Sequence, residues 1–166
     1  MTISSFVSNA RARALNLTEK LDWLGPFVAR FTLGVLFVST GWGKVHSLAK
    51  VTAYFGELGI PFPGIQAPMV SFIELIGGAL LVIGLASRLA ALPLMGSMAV
   101  AILTAQRENV HGLPDLFGLV EWTYFALLLW VAIAGPGRVS LDHLLFARAR
   151  TEPKSRSLGA QLSAKA

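Results

Sequence analysis

Four ionisable side chains stand at or inside stretches that otherwise carry almost no charge: Lys44, Glu74, Arg107 and Glu121. In an apolar medium an ionised side chain costs about 2.5–3.5 kcal/mol on insertion scales, so each needs a partner or a watery cavity. Two cations facing two carboxylates could form a closed, mutually neutralised network. Alternatively, the charges could line a small polar chamber in which a carboxylate, its pKa raised by a low-dielectric wall, accepts or holds a proton. Gly77 and Gly78 follow Glu74 at i+3 and i+4, on its own helical face, where either a helix or a flat ligand can come close to the backbone. His111 and Asp115 lie just beyond Arg107, and Trp42, Phe55, Trp122 and Tyr124 could roof such a chamber. Locking helices together, holding a ligand or proton, and docking a partner all remain open on these residues.

The elements that must position these side chains follow from composition. The chain has 166 residues, 54% of them hydrophobic and only 14% charged, against about 25% charged in an ordinary soluble domain. A water-soluble domain of this length has too little interior to hide so many apolar side chains. Crossing a bilayer takes about 20 mostly apolar residues at about 1.5 Å per residue. Four stretches fit: residues 26–44, 68–87, 89–106 and 119–135. Pro93, inside the third, is tolerated far better in a transmembrane helix than in a soluble one. With both termini in the cytoplasm, Arg11, Arg13, Lys20, Arg88, Arg138, Arg148, Arg150, Lys154, Arg156 and Lys165 lie inside. Lys44, Lys50 and Arg107 lie outside, a ten-to-three positive-inside bias. The tight connection at Ala86-Ser87-Arg88 makes the second and third spans antiparallel neighbours. The expected fold is therefore all-α, an antiparallel four-helix transmembrane bundle, with Lys44, Glu74, Arg107 and Glu121 at similar depth near its outward end.

Residues 1–25 are expected to form an amphipathic or polar segment without the apolar core of a cleavable signal peptide. Residues 26–146 form the four-span membrane domain, and residues 147–166 a basic, disordered tail. Residues 47–67, rich in Gly and Pro, read as an outward loop folded back on the bundle mouth. Near the cytoplasmic side, Arg30 either snorkels to the headgroups or pairs with Asp142, which follows the helix-ending Gly135-Pro-Gly137.

Several chemistries are excluded. With no Cys the chain forms no disulfide and no thiolate metal or iron–sulfur site. No two His share an i+3 or i+4 spacing, so no metal site is expected. Gly41-Trp42-Gly43 lacks the third glycine of a dinucleotide fingerprint and any following strand, and no ligand set for haem or flavin is evident. The basic residues report topology and anionic lipid rather than nucleic acid, for which no aromatic and basic platform exists.

The ordered motifs Arg30 with Gly34 and Phe37, Gly41-Trp-Gly-Lys44, Tyr54-Phe with Gly59-Ile-Pro61, Glu74-Leu-Ile-Gly-Gly78, Leu80-Leu-Val-Ile-Gly84-Leu-Ala-Ser-Arg88 and Gly135-Pro-Gly-Arg-Val-Ser-Leu-Asp142 resemble the DoxX family of small four-helix membrane proteins. The resemblance covers residues 28–145. It implies a multi-pass protein of the bacterial inner membrane that works beside a redox partner protein, since members are associated with thiosulfate:quinone oxidoreduction and with thiol or oxidative stress complexes. In typical members an acidic residue follows an aromatic one early in the fourth span, whereas here Glu121 follows Val120 and precedes Trp122. The resulting expectation is a membrane module of an oxidoreductase or stress-response system, with an outward-side pocket for a quinone or similar small molecule. In it Glu74 handles the proton, Lys44 and Arg107 balance charge or bind an anion, and Gly77 and Gly78 make room. The alternative is a non-enzymatic small transporter or a structural membrane anchor for a partner protein.

Overall fold

A computed structural model of the chain describes residues 21–135, 137 and 139–142, which are helical with no strand among them. Among the described residues six α-helices follow one another: α1 (Leu24–His46), α2 (Leu48–Glu57), α3 (Pro63–Ile83), α4 (Ser87–Leu103), α5 (Leu113–Gly118) and α6 (Val120–Ala134). A 3₁₀ turn, Arg107–Asn109, precedes α5. By length and composition, α1 and α3 can each cross a bilayer; α4 and α6 are apolar but shorter, at 17 and 15 residues. The expected amphipathic segment at residues 1–25 falls mostly outside the described residues, and the expected tail at 147–166 falls wholly outside them.

Helix boundaries follow local chemistry. Pro26 lies in the first turn of α1, where a missing N–H leaves no intrahelical bond unmade, and Lys44 and His46 occupy its last turn, where cations complement the helix dipole. Residues 47–67, expected as a folded-back loop, instead contain α2 and the start of α3. Pro63, rather than Pro68, opens α3. Proline is preorganised for a first helical position, and Pro68 further along interrupts only one ladder bond. At the other end of α3, Gly84 is left-handed at φ 72°. Its N–H bonds to Leu81 O and that of Leu85 to Leu80 O, the paired closure that turns a chain sharply off a helix. Ser87 then begins α4 directly after Ala86, itself left-handed at φ 48°.

One apolar core joins the four longer helices: Leu33 and Phe37 from α1, Leu81 from α3, Ala90, Ala91, Leu94 and Met98 from α4, and Leu128 and Val131 from α6. The most extensive pairings are α1 with α3 and α4 with α6, while α3 also meets α4 and α2 lies along α3. The α1–α3 crossing is built on glycine. A Cβ at Gly34 would come within 2.7 Å of Val82 N and 2.9 Å of Gly78 O. One at Gly78 would reach 2.6 Å from Val38 N, and one at Gly41 would collide with the Leu75 backbone nitrogen. Backbone therefore lies against backbone at three levels, an approach that only side-chain-free positions permit.

Because nothing lies within 4 Å of a Cβ built at Gly43, Gly43→Ala should leave thermal stability in detergent unchanged or slightly raised. Gly78→Ala should lose about 1–3 kcal/mol through overpacking. Equal melting temperatures for the two variants would contradict the close crossing.

Candidate functional site

Glu74 is the most buried carboxylate among the described residues, 1% exposed in the middle of α3. Both of its oxygens are engaged by one face of α1. Lys44 Nζ donates to Oε1 at 2.6 Å and Thr40 Oγ1 to Oε2 at 3.1 Å. Thr40 and Lys44 are four residues apart, so one helical turn presents both. Gly41 lies between them and lets the α3 backbone reach α1 at the level of Glu74 and Leu75, which brings the carboxylate within reach of both donors. The Lys44 side chain is one-third exposed, so the pair has one end in the protein and one toward its surface. Thr40 gives no sign in the sequence beyond its i−4 spacing from Lys44.

Gly77 and Gly78 are filled by protein. Gly78 faces the backbone of α1, and a Cβ at Gly77 would touch the Leu94 side chain at 3.1 Å. Of the alternatives left open by their spacing, close helix approach is the one observed.

The other charges gather elsewhere. Arg107 lies beyond the end of α4, in the 3₁₀ turn. Glu121, in the first turn of α6, accepts from Gln106 Nε2 at 2.8 Å, and Asn109 Nδ2 donates to Gln106 Oε1 at 2.8 Å. His111 is exposed and contributes its backbone N–H to Asp115 Oδ2 at 3.1 Å. The two expected cations thus sit in separate settings, Lys44 on Glu74 and Arg107 away from it. Gln106, which closes an uncharged run, and Asn109, just after Arg107 and Glu108, are neutral partners that a search for charge overlooks.

Arg107 borders a cavity of about 640 Å³ whose other lining residues are Ala99, Ile102, Leu103, Val110, Leu116, Trp122 and Phe125. Glu74 and Lys44 do not line it. Of the four aromatic residues expected over a single chamber, Trp122 lines this cavity and stacks with Phe125 at 5.7 Å. Tyr124 meets Phe37 edge-on, and Trp42 packs against His46.

A second cluster closes the opposite end of α1. Arg30, 2% exposed, donates from Nη2 to Val139 O at 2.8 Å. Its guanidinium occupies the place a side chain at Gly84 would take. Asp142 binds the start of α4: Oδ1 accepts from Ala86 N at 2.8 Å and Oδ2 from Ser87 N at 3.3 Å, while its own N–H bonds to Gly84 O at 3.0 Å. Asp142 is close enough to act electrostatically on Arg30, and its carboxylate caps a helix more than fifty residues earlier in the chain.

With this geometry established, comparison with known proteins decides the family. The DoxX family model matches residues 25–107, the segment from the start of α1 to the 3₁₀ turn. The chain belongs to the DoxX family. It is 32% identical over 127 residues to Inner membrane protein YqjF of Escherichia coli, covering 76% of this chain and 96% of that protein. It is 28% identical over 125 residues to a Bacillus subtilis protein named "Putative oxidoreductase CatD", covering 74% of this chain and 88% of that one. An uncharacterized membrane protein of Mycobacterium tuberculosis is 29% identical over 131 residues, covering 72% and 80%. No solved structure matches at a significant level. The chain is thus a DoxX membrane protein, and the matched segment contains both Lys44 and Glu74, whereas Glu121 and Asp142 lie beyond it.

Two outcomes follow from these contacts. Lys44→Met strands the buried Glu74 carboxylate and should cost about 3–5 kcal/mol, with most of the loss recovered in Lys44→Met/Glu74→Leu; thermal unfolding of the single and double variants measures the coupling. Asp142→Ala should lower stability by about 0.5–2 kcal/mol through loss of the cap, and Asp142→Asn, which keeps an acceptor oxygen, by less. Additive effects at positions 44 and 74, or an unchanged melting temperature for Asp142→Ala, would refute the respective contact.

Proposed function

We propose that this DoxX protein is a membrane module of an oxidoreductase or stress-response system of the bacterial inner membrane, holding a quinone or similar small apolar molecule at its outward end. In this reading the four longer helices form an antiparallel transmembrane bundle with both termini cytoplasmic. The positive-inside distribution of Lys and Arg supports that orientation. It directs the 3₁₀ turn and Arg107 outward, and the redox step belongs to a partner protein.

The observation that carries the reading is the cavity beside Arg107. Its volume of about 640 Å³ suits a ligand of small-molecule size, and its walls are apolar apart from one guanidinium. Trp122 and Phe125 offer faces on which a planar ring can pack, and Arg107 can donate to a ring carbonyl. Glu74 and Lys44 hold α1 to α3 through a buried ion pair, with the Lys44 side chain one-third exposed. Gly77 and Gly78 serve by closing the helices around it.

A second reading, a non-enzymatic membrane anchor for a partner protein, is favoured by one feature: both Glu74 oxygens already have donors, as a purely mechanical clamp requires.

Solvent extraction of the purified protein followed by quinone quantification separates the readings. Ala99→Phe, which fills the cavity from α4, should lower retained quinone severalfold at unchanged melting temperature, whereas Glu74→Gln should lower the melting temperature. Quinone at background in the wild-type protein, or unaffected by Ala99→Phe, would leave the anchor.

A further inference from the structure

Arg107 is set apart from its surroundings. Seven of the eight residues that line the cavity are apolar and the eighth is this guanidinium. Within the described residues no carboxylate lies within ion-pair distance of it. The neighbouring acids are engaged or face elsewhere: Glu121 takes the Gln106 amide, Asp115 takes the His111 N–H, and Glu108, on the same turn, does not line the cavity. The turn itself is braced, because Asn109 donates to Gln106 and Gln106 to Glu121, which ties the segment bearing Arg107 to the first turn of α6. Arg107 is itself exposed and stands at the open mouth of an apolar hollow, whose walls exclude part of the water that would screen an anion there. The planar guanidinium fork matches the two oxygens of a carboxylate or a phosphate.

We infer that the cavity between the end of α4 and the start of α6 binds an amphiphile with an anionic head group and an apolar body, with the head on Arg107 and the body against Ile102, Leu103, Trp122 and Phe125. This rests on reading the cavity as a small-molecule site and narrows its ligand class: a neutral quinone uses the apolar walls but leaves the guanidinium without a counter-charge. The head group is a carboxylate, as in a fatty acid, or a phosphate, as in a lipid headgroup or alkyl phosphate.

The test is displacement of dansyl-undecanoate from the full-length protein in phosphatidylcholine nanodiscs, followed by energy transfer from Trp122, with Trp122→Phe defining the signal from this site. Laurate, dodecyl phosphate, methyl laurate and a short-chain ubiquinone serve as competitors. The expected result is displacement by one or both anions at concentrations about tenfold below those needed for methyl laurate, the range for a hydrogen bond to a charged group. Arg107→Gln should abolish that preference and Arg107→Lys should keep part of it. Laurate alone or dodecyl phosphate alone would identify the head group as carboxylate or phosphate. If ubiquinone displaces the probe while laurate and dodecyl phosphate do no better than methyl laurate, and Arg107→Gln changes nothing, the anionic class is overturned and the cavity stands as a quinone site. If no probe signal depends on Trp122 and no competitor acts, the small-molecule reading of the cavity falls with it.

Discussion

The structure depends on bringing α1 and α3 into backbone contact and burying a carboxylate in the seam. Neither half of this arrangement works alone. Gly34, Gly41 and Gly78 remove the side chains that would separate the helices. The resulting proximity leaves Glu74 with almost no access to water. A carboxylate so placed needs donors for both oxygens, and Thr40 and Lys44 supply them from one turn of α1. The glycines set the distance, and the ion pair makes the register specific, since sliding α1 by one residue would carry both donors off the carboxylate.

The same helix is fastened at its other end by different means. Arg30 and Lys44 are fourteen residues apart, about 21 Å along the axis. Arg30 reaches across the space left by Gly84 to the carbonyl of Val139, while Asp142 caps α4 through two backbone N–H groups. The α3–α4 turn is thereby held between the first long helix and the last described segment. Each end of α1 relies on a glycine where a Cβ has no room: Gly84 of the α3 turn admits Arg30, and Gly41 of α1 itself lets the α3 backbone bring Glu74 to Lys44.

The α4–α6 side is organised otherwise. There the helices pack through Leu94, Met98, Leu128 and Val131. Beyond that core the chain passes through a short turn and the six-residue α5, and this irregular stretch frames the cavity instead of closing it. Buried charge is consumed where the helices are tightest, and the open guanidinium lies where they are not. This division of labour is why the cavity, rather than the Glu74 pair, supports the small-molecule reading.

The apolar periods of the long helices, the pairing value of Glu74 with a cation, and the family itself were legible from residue types and order, because apolar length and motif order are one-dimensional properties. The glycine spacing at positions 77 and 78 announced a close approach without saying of what. Only the tertiary structure assigned Gly78 to α1 and Gly77 to Leu94. It also distributed the four expected charges into two unlike settings and showed Asp142 bound to backbone rather than aimed solely at Arg30. Which partner a charge takes depends on helix rotation and crossing distance, and these are set by contacts between residues far apart in the chain. The neutral partners Thr40 and Gln106 and the cavity beside Arg107 were hidden for the same reason: a hydrogen bond or a void belongs to the space between elements, and no single stretch of sequence carries it.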